Sequence, residues 1–594
     1  MKKISLFICA LVCATSLMAE TVKIDGLYYS LGNTTATLVQ DQSSDKSVYG
    51  NYINVTVPAS VYYNNYNYPV TSLGTSAFES CTNLQSVTLP SSITLIGTDA
   101  FYGCSKLGSV NLPEGLTTIN MRAFYNCHLD TIIIPSTVTS IGSKAFYGCP
   151  IKSVTWLPIN CSIGTDDSAP FYSTNSQITS FTFGDQVQVI PAYLCKNMSL
   201  LDTIVLPPSV NSLGTYAFAF CTRLKSINLP VTQQTLPVSF LEGCTSLESI
   251  ELPATLTTIS TDAFYGCTKL ANVNLHEGIT TINQRAFYNC KLTDITIPST
   301  VTSIGNGAFK GNPITSVTWL PKNSTIGSDD SAPFYSTNSQ ITSFTFGDSV
   351  QIVPSYLCKN MSKLETVVLP STVTNIGQCA FMYCTSLKSF EFPQGIKIVA
   401  TSVLEGCTAL QSVVIPSSVT SIYQDAFYGC SGLQEIHNFA FTPQTITERS
   451  VSNVNKHTCI LYVPMDYINL YRTKAVWCDF DNIIGVQTDL QFEDQIVNVT
   501  YLKQDSTLYY MESQTWAVPH EPHVEGFTFV GWQVQQGMLS DGIVLVAVYQ
   551  SNDPTNTSDV VENPNNKAQK LIRQGNVYIL QDDQLYTIQG QKVK

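Results

Sequence analysis

The chain rewrites one short phrase along most of its length: an isoleucine or leucine, a few spacers, Ala-Phe, Cys, then Leu-x-x-Val-x-Leu-Pro. It reads LGTSAFESCTNLQSVTLP from Leu73 to Pro90, IGTDAFYGCSKLGSVNLP from Ile96 to Pro113 and IYQDAFYGCSGLQEI from Ile422 to Ile436. Successive copies recur roughly every 23 residues, a period that fits one supersecondary unit and is too short for a domain. Such a unit buries its apolar face only by stacking on its neighbours, so the expected architecture is a solenoid.

Each rung has a physical assignment. In LQSVTLP, Leu84, Val87 and Leu89 are expected to face inward from a short strand, with Ser86 and Thr88 facing out. Pro90 ends the ladder because it has no amide proton to donate. Ile96, Ala100, Phe101 and Cys104 fall on one face of a tight helical turn over the strands, making the fold class α/β. Phe101, Phe124, Phe146, Phe264, Phe287 and Phe427 are expected to stack as a spine. A tyrosine follows the spine residue on many rungs, among them Tyr102, Tyr125 and Tyr147.

A larger duplication lies over the short one. Cys104 and Cys267, Trp156 and Trp319, and Phe171 and Phe334 are each 163 positions apart, so a block of seven rungs is present twice. Within it, Trp156–Phe183 and Trp319–Phe346 depart from the consensus through a longer polar connection. Excursions of this kind emerge on one side of a solenoid, often the binding side. The candidate ligand-binding residues are therefore Trp156, Asp166, Asp167 and Tyr172, with Trp319, Asp329, Asp330 and Tyr335. The adjacent carboxylates lack the ligand spacing of a calcium loop. They are expected to serve as helix N-caps or turn formers, and no metal or cofactor is expected.

Composition sets the partners. A net charge of −13 with only 12% charged residues disfavours nucleic acid, which demands clustered Lys and Arg. Lys2, Lys3, the apolar run Ile4–Val12 and Ala19 before Glu20 read as a signal peptide over residues 1–19, too short to span a bilayer. The expected organisation continues with an N-terminal cap at 20–69, repeats at 70–440 and a C-terminal cap at 441–486. A β-rich module at 487–550, a linker at 551–570 and a strand-rich tail at 571–594 complete it. No further segment is expected to cross a membrane.

Seventeen cysteines follow the leader, eleven of them at one rung position from Cys81 to Cys430. All side chains in such a column point the same way, whereas a disulfide needs opposed Cβ vectors, so these read as buried small hydrophobes. Cys459 and Cys478 stand outside the column as a candidate cap disulfide. His457 beside Cys459 is formally a nucleophile pair, but nothing supplies an oxyanion hole. No catalytic residue is expected and the chain reads as a non-enzyme.

The pattern IGxxAFxGC…LxxVxLPxxVTxI resembles the BspA-like leucine-rich repeat surface proteins over nearly all of residues 20–486. That resemblance implies a secreted or cell-surface adhesin or binding scaffold for host extracellular-matrix or other cell-surface proteins. It carries no catalytic or ligand residues across. The alternative is a carbohydrate-binding surface component using the duplicated Trp/Asp loops as twin platforms. Residues 498–550, with PHEPHVEGFTFVGWQV, are similar to the Listeria–Bacteroides repeat, a β-grasp-like extracellular module. The last residues resemble the carboxy-terminal modules used for type IX secretion, which implies outer-membrane sorting.

Overall fold

A computed structural model describes residues 20–42 and 47–486, and beyond them the backbone of strands between Ile496 and Thr587. The leader expected at residues 1–19 lies outside the described residues, as does most of the linker expected at 551–570. The chain forms two compact units: residues up to Ile460 together with Lys474–Asn482, and Leu461–Thr473 together with Ile483 onward.

The first unit contains a solenoid of about 18 turns. Each rung contributes strands to two parallel ladders. One runs through residues such as Ser86–Thr88, Ser109–Asn111, Thr131–Ile134, Ser153–Trp156 and Ser180–Phe183. The other joins two-residue strands, Leu95–Ile96 to Thr118–Ile119 to Ser140–Ile141. Equivalent residues pair in register, so every column carries one kind of side chain. Leu84, Val87, Leu89, Ile96, Ala100 and Phe101 are buried as their alternation requires. Phe78, Phe101, Phe124, Phe146 and Phe171 stack with centroids 5.1–5.4 Å apart, and Phe264, Phe287, Phe309 and Phe334 repeat the arrangement.

The third side of each rung corrects the expected α/β class: it is a hydrogen-bonded turn, and the fold is strand-dominated with few helices. The reason lies in where the amides go. Ala100, Tyr102 and Cys104 donate to the carbonyls three residues earlier, while Asp99, Phe101 and Gly103 donate to Met121, Ala123 and Tyr125 of the next rung. An α-helix would spend all of these internally. The alternation needs left-handed backbone twice per turn, at Asp99 (φ 57°) and Gly103 (φ 72°). Gly97 serves close approach instead: a Cβ there would sit 2.6 Å from the backbone of Gly74 in the rung before.

The cysteine column has a role beyond the expected packing. Cys104 Sγ donates to Phe78 O at 3.0 Å, Cys127 to Phe101 O at 3.1 Å and Cys149 to Phe124 O at 3.0 Å. Cys244, Cys267 and Cys430 reach the matching carbonyls one rung back. Each of these carbonyls also accepts one amide, as Phe78 O does from Cys81 and Phe101 O from Cys104, so the thiol fills its second acceptor position. Where cysteine is absent another donor replaces it: Asn312 Nδ2 binds Phe287 O at 2.6 Å, and Thr174 Oγ1 binds Phe146 O at 2.9 Å. Met198 and Met361 carry no donor and need none, because Phe171 O already accepts from Thr174 and Asn175 amides, and Phe334 O from Thr337 and Asn338. Burial pushes the Cys221, Cys267, Cys384 and Cys430 thiols up to about 12, holding them protonated and able to donate.

Before the first rung, antiparallel strands Glu20–Ile24, Leu27–Leu31 and Ala36–Val39 precede a hairpin of Ser60–Tyr63 and Tyr66–Leu73. Tyr49 is buried here with its ring 5.2 Å from Phe78, so the spine ends on an aromatic side chain rather than in solvent. At the other end of this unit, Trp477 is buried and donates Nε1–H to Gln444 O at 2.9 Å. The candidate cap disulfide is corrected: Cys459 and Cys478 are free, one buried and one exposed. His457 is exposed and binds Asp481 at 2.8 Å.

In the second unit, Ile496–Asp505 pairs antiparallel with Leu508–Ala517, and Phe527–Gln535 with Val544–Ser551. Gln569–Arg573, Asn576–Gln581 and Gln584–Thr587 form an antiparallel meander. Among the described residues no helix is long and apolar enough to cross a membrane.

Candidate binding surface

Two parts of the solenoid present side chains to solvent in a regular array. The first is the strand face. Its outward column includes Thr88, Asn111, Ile133, Thr155 and Thr182, one residue per rung, at about 4.8 Å spacing. Three positions on this face are apolar and open: Ile133 at 59% exposure, Val205 at 75% and Val368 at 82%. Val205 and Val368 are equivalent across the duplication.

The second is the turn face, where aromatic rings alternate with cations. Tyr102, Tyr125 and Tyr147 stack at 4.8 and 4.5 Å, half-exposed, outside the buried phenylalanines. Arg122 lies over Tyr102 at 5.6 Å and binds Asp99 of the preceding rung at 2.7 Å. Arg285 with Asp262 and Tyr265, and Arg449 with Asp425 and Tyr428, repeat this in the later blocks. Each is an ion pair between adjacent rungs stacked on a ring, and in the first two both partners are left-handed.

The long connections belong to this turn face. Asp166–Ser168 and Asp329–Ser331 are single 3-10 turns, and neither Asp is the N-cap: those are Thr165 and Ser328, without a side-chain cap bond. Instead Asp166 and Asp329 are left-handed (φ 49°) and pair with Lys196 and Lys359, thirty residues on. Lys196 also lies 5.2 Å from the Tyr193 and Tyr216 rings. Burial alone would lower the Lys359 ammonium, but the Asp329 hydrogen bond and charge raise it above the ordinary lysine value. Asn175 and Asn338 tie each long turn to the next rung by donating to Lys196 O and Lys359 O.

The structure gathers Asp166 and Tyr172 around one narrow cleft with Tyr193 and Lys196, and leaves Asp167 exposed beside them. Trp156 and Trp319 are not among them. Both indoles are fully buried, in register with Ile134 and Phe183 and with Ile297 and Phe346. This corrects the sugar-platform expectation: a buried ring offers no face for a pyranose. Lys196, Lys359, Tyr193 and Tyr356 were not singled out from sequence, although their signal was present as aromatic residues where other copies carry Asp, Ser or Arg. Among the described residues no group of three or more His, Cys, Asp or Glu is arranged to hold a metal ion.

The solved structure of a leucine-rich repeat protein from Bacteroides ovatus is 26% identical, with 70% of this chain and 94% of that one aligned and a TM-score of 0.40. A leucine rich cell surface protein from Faecalibacterium prausnitzii is 24% identical over 70% of this chain and 94% of its own, with a TM-score of 0.33. The leucine-rich repeat protein of T. pallidum is 25% identical over 43% and 92%, with a TM-score of 0.22. No curated protein matches the chain. The family model for the BspA type leucine rich repeat region, with six copies, matches residues 60–152, 117–248, 234–365 and 351–470, and this chain therefore belongs to the BspA-type leucine-rich repeat family.

Proposed function

We propose that this chain is an exported, surface-displayed scaffold that binds other proteins, of the host extracellular matrix or of another cell's surface, by extended contact along its rungs. The observation that carries this reading is the open strand face, where Val205 and Val368 stand largely exposed at equivalent sites in a column of mostly Thr and Asn. Singly exposed apolar residues are ordinary, but a repeated pair at equivalent sites supports a recognition role. Repetition supplies avidity, so that weak contacts at each block sum to useful affinity when a partner spans both. Family membership supports the same reading, because solenoids of this length bind through their broad faces. The lysine-rich start of residues 1–19 supports export.

A pull-down of matrix and cell-surface proteins with the mature chain tests this. Capture of protein partners that survives chelator and weakens in a Val205→Asp, Val368→Asp variant is the expected result. Capture by a glycan array alone, with no protein partner, would overturn it.

A further inference from the structure

Two positions in nearly every turn are left-handed; the second is mostly Gly or Asn, and the first is mostly Ser, Asp, Arg or Lys. At the first stand Ser76, Asp99, Arg122, Ser239 and Asp262; at the second Gly103, Asn126, Gly148, Gly243 and Gly266. Small or locally hydrogen-bonding residues are what such backbone tolerates at least cost. Bulky aromatic residues break this rule at five places: Tyr193 (φ 63°), Tyr216 (φ 56°) and Phe220 (φ 60°), then Tyr356 (φ 65°) and Tyr383 (φ 60°). All five follow directly on the two long turns. The first rung after each long turn carries Cys195 or Cys358 at the spine position, while the second keeps Phe218 or Phe381 buried there.

The five left-handed rings contribute little to the interior. Phe220 and Tyr383 are 36% and 41% exposed, and Tyr193 and Tyr216 stack on each other at 5.0 Å, half-exposed. Tyr172 adds a further open ring across the cleft from Tyr193. The charge beside them is layered. The Lys196 side chain is only 19% exposed while its partner Asp166 is 62% exposed, and Lys359 and Asp329 repeat this at 18% and 57%. Asp167 and Asp330 add a second open carboxylate. Lys144 lies about equally far from Tyr147 and Tyr172, at 6.0 and 5.9 Å. An approaching partner meets carboxylates and aromatic rings, with the ammonium beneath.

We propose that each long turn and the two rungs after it form a docking site for an arginine- or lysine-bearing segment of a partner protein. Asp166 and Asp167 accept the cationic group, and Tyr172, Tyr193 and Phe220 flank it. This rests on the protein-binding reading above and gives it a location and a partner chemistry. Guanidinium suits both components, since it pairs with carboxylate in a fork and stacks on rings. The second site, of Asp329, Asp330, Tyr335, Tyr356 and Tyr383, is the poorer one. Cys379 stands where Tyr216 does in the first, and Gln378 occupies the Tyr356 hydroxyl at 3.0 Å. Seven rungs place the two sites about 34 Å apart.

The test uses the full mature chain and a labelled peptide of alternating Arg and Gly, with a Glu–Gly peptide as control, read by fluorescence anisotropy at physiological salt. The Tyr193→Ser, Tyr216→Ser, Phe220→Gly variant installs residues that other rungs use at the same positions. It is expected to lose about tenfold in affinity for the stronger site while its Tm stays level or rises, as relief of left-handed strain requires. Asp167→Asn is expected to weaken binding several-fold, and a charge-matched Glu114→Gln variant to leave it within twofold. Equal losses in Glu114→Gln would show that net charge alone holds the peptide and would overturn the site. So would a fall in Tm in the triple variant with affinity unchanged. Peptide binding is read apart from cell-surface capture, so its absence removes this site and leaves the scaffold reading standing.

Discussion

The ordinary rungs and the long-turn rungs solve one packing problem in two ways. Between Phe78 and Phe171 one ring per rung fills the same column, and a thiol caps the carbonyl of the ring before it. Around Cys195 and Cys358 the column loses its ring. From the strand side Phe183 reaches Phe218 of the rung beyond at 6.4 Å, and Phe346 reaches Phe381 at 6.5 Å. Aromatic contact across the cysteine rung thus runs from the strand wall to the next spine ring. A solenoid tolerates this because each rung answers only to its neighbours.

The largest expected effect sharpens that comparison from inside. Trp156→Ala should cost about 3–5 kcal/mol in denaturant unfolding, as should Phe124→Ala, since both delete a fully buried ring. A surface platform residue would cost almost nothing, so a small loss at Trp156 would break the equivalence.

Alkaline unfolding comes next. The buried column thiols titrate near 12 in the folded chain and near 9 when exposed. Their folded value is raised, so their contribution is fully present below about pH 9 and is lost as pH rises toward 12. Stability followed by circular dichroism should therefore fall steeply across that window, and less steeply when Cys221 and Cys384 are replaced by Thr. Thiol labelling of the native chain at neutral pH should find Cys478, the exposed one among the described residues, well before the column.

A smaller difference separates the two ways of capping a carbonyl. Cys127→Ala removes one of the two donors on Phe101 O, leaving the Cys104 amide, and should cost about 0.5–1.5 kcal/mol, whereas Cys127→Ser keeps a second donor and should cost less. Met198→Ala loses apolar volume only, because the Phe171 carbonyl is served by backbone. Smallest of all, Asp202→Asn, whose ion pair with Arg223 lies open to solvent, should cost less than about 1 kcal/mol, and that loss should shrink in salt.

Much of this fold was legible before any coordinates. The alternation in LQSVTLP fixes which residues enter the core, and the 163-residue offset fixes which rungs match. The tight helical turn was misread because Ile96, Ala100, Phe101 and Cys104 share a face in a helix and in this turn alike. Only the hydrogen-bond partners separate the two, and those lie in the next rung. The thiol column was read as apolar for a related reason: its acceptor sits 26 residues back, beyond any local pattern. Trp156 is a different case. SVTWLP aligns with SVTLP, so the alternation that buries Val87 and Leu89 also buries Val154 and Trp156. The Asp–Lys pairs lay beyond reach, since the longer rung shifts the partner from about 23 to 30 residues away.

Indole accessibility tests most directly whether the long-turn rungs continue the same interior as the ordinary ones. In a chain with Trp516 and Trp532 replaced by Phe, the remaining Trp156, Trp319 and Trp477 should emit as buried indoles. Acrylamide should barely quench them until the chain unfolds. Strong quenching of the native chain, lost on substituting Trp156 and Trp319 by Phe, would contradict this and return both rings to the surface.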